Sequence, residues 1–132
     1  MFQLKTNMDK EIVKKGTYEG YRYFIVFVSK MWYCAYVILP KKSKYYKVED
    51  YDNIPIDVHG GLTFANKHRL VRNQWCIGWD YAHIGDYIPL FGDYRDEMED
   101  GFGIPPHKWE PDEIEYDCKD VIEQLIKLEN EK

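Results

Sequence analysis

At 132 residues the chain has the length of one domain, and it carries enough surface to fold without disulfides or structural metals. A formal net charge of -5 and a pI near 5.4 exclude the clustered cationic footprint of a duplex-DNA binder, and no apolar run approaches membrane-spanning length. Aromatic residues reach 17%, with 12 Tyr and 4 Trp; that surplus suits a flat ligand or a homo-oligomer interface, and equally a Tyr-rich sheet whose hydroxyls reach solvent.

The first 20 residues read as a strand and a turn closing on Gly16 and Gly20. Tyr21 to Val28 is aromatic and β-branched with a single charge, Arg22, and predicts a strong strand. Ser29-Lys30-Met31 is a short connection, and Trp32 to Leu39 is a second strand of matching length. Together they form a central antiparallel hairpin over about 21–39. Pro40 ends it, and a lysine-rich loop follows with Lys41, Lys42, Lys44 and Lys47. Val48 to Ile56 is turn-like.

Leu62-Thr63-Phe64 predicts a short strand, residues 66–74 a polar loop, and Gln74 to Trp79 a further strand. A second basic group, Lys67, His68, Arg69 and Arg72, lies in that loop, so a small anion can be held mid-chain in a protein that is acidic overall. Residues 87–108 carry three prolines and three glycines and read as a long excursion, either a flap over a site or a variable surface loop. The stretch from Asp93 to Asp100 is acidic. Pro111 suits a first helical position, and Ile114, Cys118, Val121, Ile122, Leu125 and Leu128 make one apolar face of a C-terminal helix over about 111–130. The fold class is therefore α+β: one domain, 1–132, with an antiparallel sheet and that helix on one face.

Cys34, Cys76 and Cys118 are odd in number, lie in apolar runs and show no zinc spacing. They read as reduced, buried thiols of a cytoplasmic protein, since no signal peptide opens the chain.

Chemistry concentrates between Asp57 and Asp86. His59, Asp80 and Asp86 each stand beside glycine or an aromatic at a predicted strand end, with His83 two residues from both Tyr81 and Gly85. Two imidazoles and two carboxylates support general acid–base catalysis, with a carboxylate orienting each ring. They also support a divalent metal site, although the i, i+3, i+6 spacing of Asp80, His83 and Asp86 matches no ligand signature. A plain structural role stays open too, with Asp80 capping backbone amides and His83 packed. Gly60, Gly61 and Thr63, with the amide of Leu62, can hold a phosphate. Trp79 or Tyr81 can stack on a base. No P-loop, GxSxG or HExxH motif is present.

Two segments, His59-Gly60-Gly61-Leu62-Thr63-Phe64 and Trp75-Cys76-Ile77-Gly78-Trp79-Asp80-Tyr81-Ala82-His83-Ile84-Gly85-Asp86, resemble paired motifs of a family of small bacterial and phage proteins of unassigned function. The upstream hairpin and the C-terminal helix correspond as well. The connection between the motifs is shorter here than in many such proteins, and no residue of it is carried over. The resemblance implies a phage-type counter-defence protein directed at a small nucleotide second messenger. Combined with the His/Asp inventory, it favours phosphodiesterase-like hydrolysis of a cyclic dinucleotide. The alternatives are a non-catalytic, oligomeric protein that sequesters the signal, and a protein–protein inhibitor using the acidic stretch.

Overall fold

The computed structural model describes residues 9–83, 85–88 and 106–131. Five strands, β1 (Lys10–Tyr18), β2 (Tyr21–Val28), β3 (Trp32–Ile38), β4 (Phe64–His68) and β5 (Gln74–Asp80), form one sheet in the order β1-β2-β3-β5-β4, every pairing antiparallel. A single helix, α1 (Pro111–Asn130), follows β5 among the described elements. This is the α+β arrangement expected, with β3 of the predicted hairpin at the centre of the sheet.

The sheet is buried on both faces, which explains why β2 and β3 read as near-continuous apolar runs. Tyr23, Ile25, Ala35, Val37, Ile77 and Trp79 point to one face, where they meet Ile114, Cys118, Val121, Ile122 and Leu125 of α1. Each of those helix residues is fully buried, worth about 1.5–3 kcal/mol for an aliphatic side chain of that size. Phe24, Val26, Val28, Tyr36, Ile38 and Cys76 form a second core on the opposite face. Helix α1 begins where Pro111 places it, and Glu113 accepts from the Glu110 amide at 3.0 Å.

Much of the tyrosine surplus is spent on the helix. The hydroxyls of Tyr18, Tyr21 and Tyr23 donate to Glu123, Glu129 and Glu115 of α1, so strand aromatics and helix carboxylates lock the two layers together.

Two sequence expectations change. The short strand expected at 62–64 lies at Phe64–His68, and the expected loop 66–74 holds that strand and a 3-10 turn at Arg69–Val71. Asn66 and Lys67 are exposed on an edge strand, which gives the polar look of a loop. His68 is no part of a cationic patch. It is 6% exposed among Phe24, Tyr36 and Phe64, and its Nδ1 accepts from the Leu70 amide at 3.1 Å. Burial, with the charges of Lys10 and Arg69, lowers its pKa to about 4.

Cys76 and Cys118 are buried and Cys34 half-buried, all three as free thiols. Burial raises Cys34 to about 11, with Asp80 adding to it, and Cys76 to about 12, so neither is a nucleophile at neutral pH. No described helix is long and apolar enough to cross a membrane.

Candidate functional site

Three segments meet beyond the end of β5. The first is the Val58–Gly61 turn, closed by the Gly61 amide on the Val58 carbonyl at 2.8 Å. The second comprises Tyr81–His83 and Gly85–Tyr87, with the Asp86 amide donating to the His83 carbonyl at 2.9 Å. The third is His107–Glu110, just before α1. His107 donates its amide to Gly85 and accepts from the Tyr87 amide, which ties the second and third segments together.

Asp86 is the hub. Its residue is 2% exposed. Oδ2 lies 3.0 Å from His59 Nε2, 2.9 Å from the His83 amide nitrogen and 3.4 Å from His83 Nδ1, while Oδ1 accepts from Trp109 Nε1 at 2.8 Å. Burial alone drives its pKa up. The hydrogen bonds from His59, the His83 amide and Trp109, with the nearby His59 charge, more than offset that and hold the carboxyl below its ordinary value.

His59 lies flat on Tyr81, ring centres 4.8 Å apart and 9° from parallel, with His83 5.5 Å away edge-on and Trp109 at 5.0 Å. The His83 ring is pressed onto Gly60. A Cβ built at Gly60 would fall 2.3 Å from His83 Cε1, and Gly60 has φ +70, so only glycine lets the chain pass beneath this ring. His83 Nε2 faces Asp80 Oδ1 at 3.6 Å. Asp80 also accepts from Thr63 Oγ1 and from the Ala82 amide, each at 3.2 Å, so the turn-capping role and the histidine-facing role coexist in one side chain.

The structure thus brings His59, His83 and Asp86 together and sets Asp80 behind His83. The expected ligand-binding residues fall in different places, and of them Tyr81 borders an aromatic cleft. Trp79 is 1% exposed and faces α1, its indole donating to the Tyr81 hydroxyl at 2.8 Å, so it offers no face for a base. The Tyr81 hydroxyl donates to Asp117 at 2.6 Å, and its ring is the floor under His59. The Gly61 amide closes the turn and the Thr63 hydroxyl donates to Asp80, so neither directs a spare donor at a phosphate. Gly60 shapes the site by admitting His83. The flap expected at 87–108 and the acidic stretch Asp93 to Asp100 fall mainly or wholly outside the described residues.

Sequence reading missed Trp109 and His107. Trp109 borders a cleft of about 220 Å³, lined also by Phe27, Trp32, Tyr33, Tyr87, Lys108 and the sequence-predicted Tyr81. His107 packs edge-on against Trp109 and pairs with Glu113 at 2.9 Å. The available signal was the cluster of His, Lys and Trp immediately before a helix-starting proline. Compared with known proteins, the chain matches no family model, no curated protein and no solved structure.

Proposed function

We propose that the protein takes up a small nucleotide second messenger and cleaves it as a phosphodiesterase-like hydrolase, with the His59–Asp86–His83 cluster as its reactive centre. The observation that carries this reading is the double position of Trp109. Its ring walls an aromatic cleft, and its indole N–H holds the carboxylate that the two histidines share. A ring system inserted between Trp109 and the facing aromatics would lie against Trp109 and Tyr81, the two rings that His59 also packs on, although neither histidine lines the cleft itself.

Lys108 supplies a cation at the same rim for a phosphate. A cleft of about 220 Å³ is below the roughly 300–1,000 Å³ of sites that enclose a whole drug-sized ligand. It suits one base, and the rest of a dinucleotide would extend along the surface toward His83, whose side chain is 36% exposed. The counter-defence setting rests on the motif resemblance.

A second reading is sequestration without cleavage, because the aromatic cleft can bind a base whether or not the cluster reacts. Incubation with a panel of cyclic di- and oligonucleotides, followed by mass spectrometry of free and protein-bound material, separates the two. Converted nucleotide supports the hydrolase. Intact bound nucleotide supports sequestration, and neither outcome with the whole panel refutes both.

A further inference from the structure

We infer that His59 Nε2, His83 Nδ1 and Asp86 Oδ2 form a mononuclear site for a divalent transition metal, zinc foremost. The inference concerns the cluster just described but rests on its donor geometry alone, and it holds whichever ligand the cleft takes.

The three donor atoms lie within 4.8 Å of one another. Two of the separations, 3.0 Å from Asp86 Oδ2 to His59 Nε2 and 3.4 Å to His83 Nδ1, are those of neighbouring ligands on one ion. Donors each about 2.0–2.2 Å from a tetrahedral zinc stand roughly 3–3.5 Å apart. To close on a cation the set needs the two imidazole nitrogens, which lie within 4.8 Å of each other, to draw together to that spacing.

His83 Nδ1 provides an independent indication. It is buried and has no hydrogen-bond partner among the described residues, because its approach to Asp86 lacks hydrogen-bond geometry. A buried ring nitrogen left without a partner is a costly arrangement. Coordination to a metal satisfies it.

The surroundings follow the pattern found around bound metals, in which a ligating histidine turns its other nitrogen to a carboxylate and a ligating carboxylate is itself hydrogen-bonded. His83 Nε2 faces Asp80 Oδ1 at 3.6 Å, and Asp80 is steadied by Thr63. Asp86 Oδ1 is held by the Trp109 indole. Two nitrogens and one carboxylate oxygen leave a coordination position for water or a substrate oxygen, as catalytic rather than structural zinc sites do. No cysteine joins the set, which favours zinc and its harder neighbours over copper(I).

The test uses the full chain without a histidine tag, stripped with chelator and refolding-checked by circular dichroism. Equilibrium dialysis against Zn²⁺, Mn²⁺, Co²⁺ and Ni²⁺ with elemental analysis should give about one zinc per chain, together with a rise in melting temperature. His59→Ala, His83→Ala and Asp86→Asn should each lose at least about tenfold in zinc affinity, in line with loss of a ligand or its support. His107→Ala, which removes a neighbouring exposed imidazole, should bind as the parent does. The Co²⁺-loaded parent should show visible ligand-field bands without a thiolate charge-transfer band, a readout that survives even if a variant fails to fold. A folded parent chain that takes up none of the four ions overturns the inference, as does uptake unaltered in all three ligand variants. Failure of the nucleotide panel would leave this result standing, and failure here would leave metal-free cleavage standing.

Discussion

The contact between Gly60 and His83 can be tested against its own neighbour. Gly60 and Gly61 both have positive φ, +70 and +81, yet a Cβ at Gly60 strikes the His83 ring while a Cβ at Gly61 meets nothing within 4 Å. Gly61→Ala therefore carries only the backbone term, about 1–2 kcal/mol for an L-residue held in the left-handed region. Gly60→Ala carries that term and an overpacking term of about 1–3 kcal/mol as the ring is displaced. At roughly 2.1 cal/mol/K of unfolding entropy per residue, 132 residues make each kcal/mol worth about 3–4 °C. Gly61→Ala should lower the melting temperature by about 4–7 °C and Gly60→Ala by about 7–18 °C, read by circular dichroism. Adding His83→Ala to Gly60→Ala should recover the overpacking part, which a double-mutant cycle isolates. Equal losses in the two glycine variants, with no coupling to His83, would refute the placement of that ring.

Three further outcomes follow from the hydrogen bonds and titrations. Tyr81→Phe removes the hydroxyl between Trp79 and Asp117 and leaves the indole N–H buried without its acceptor, so urea unfolding should show a loss of about 1–3 kcal/mol; an unchanged midpoint would mean the relay contributes nothing. The folded pKa of Asp86 lies below its ordinary 3.8, so its contribution is present above that pH and is lost as pH falls through the folded value; Asp86→Asn should flatten the acid limb of melting temperature against pH, and an unaltered limb would argue against the pairing. His68 titrates near 6.5 when unfolded and at about 4 when folded, so stability is complete above pH 6.5 and declines as pH falls toward 4. His68→Asn, which keeps an acceptor for the Leu70 amide, should remove that decline, measured by urea unfolding at pH 7 and pH 5.

The sheet and helix were legible because both faces of β2, β3 and β5 are buried and the helix has one apolar stripe. Continuous aromatic and β-branched runs and a 3.6-residue period are signals that composition cannot hide. β4 was illegible because an edge strand shows polar residues to solvent, as Asn66 and Lys67 do. The site divided along another line. His59 and Asp86 stand beside glycines and His83 two residues before Gly85, and the sequence separation of 27 between His59 and Asp86 is closed by strands β4 and β5 pairing. Trp109 and His107 arrive from the far side of the chain, placed by backbone pairing of His107 with Gly85 and Tyr87, and no local pattern encodes that meeting. The same limit explains Trp79. Alternation along β5 assigns it to one face, but only the docking of α1 shows that this face is closed.

The organisation around Asp86 also decides which substitution speaks to function. A carboxylate 3% exposed, holding His59, the His83 amide and the Trp109 indole, stabilises three segments at once. Removing any one partner of such a buried group is destabilising by several kcal/mol whatever chemistry it performs. Lost activity in an Asp86, His59 or Trp109 variant therefore does not distinguish a reactive group from a structural one. His83 is different. Its amide serves Asp86 and survives any side-chain change, while its ring is 36% exposed and its Nδ1 has no hydrogen bond among the described residues to lose. His83→Gln should leave the melting temperature nearly where it was and, on the hydrolase reading, lower turnover by about 10²–10⁴-fold, the usual contribution of a positioned proton-transfer group. Retained turnover in that variant would assign His83 to the scaffold. Unfolding of it would show that the ring, and not only its amide, holds the three segments together.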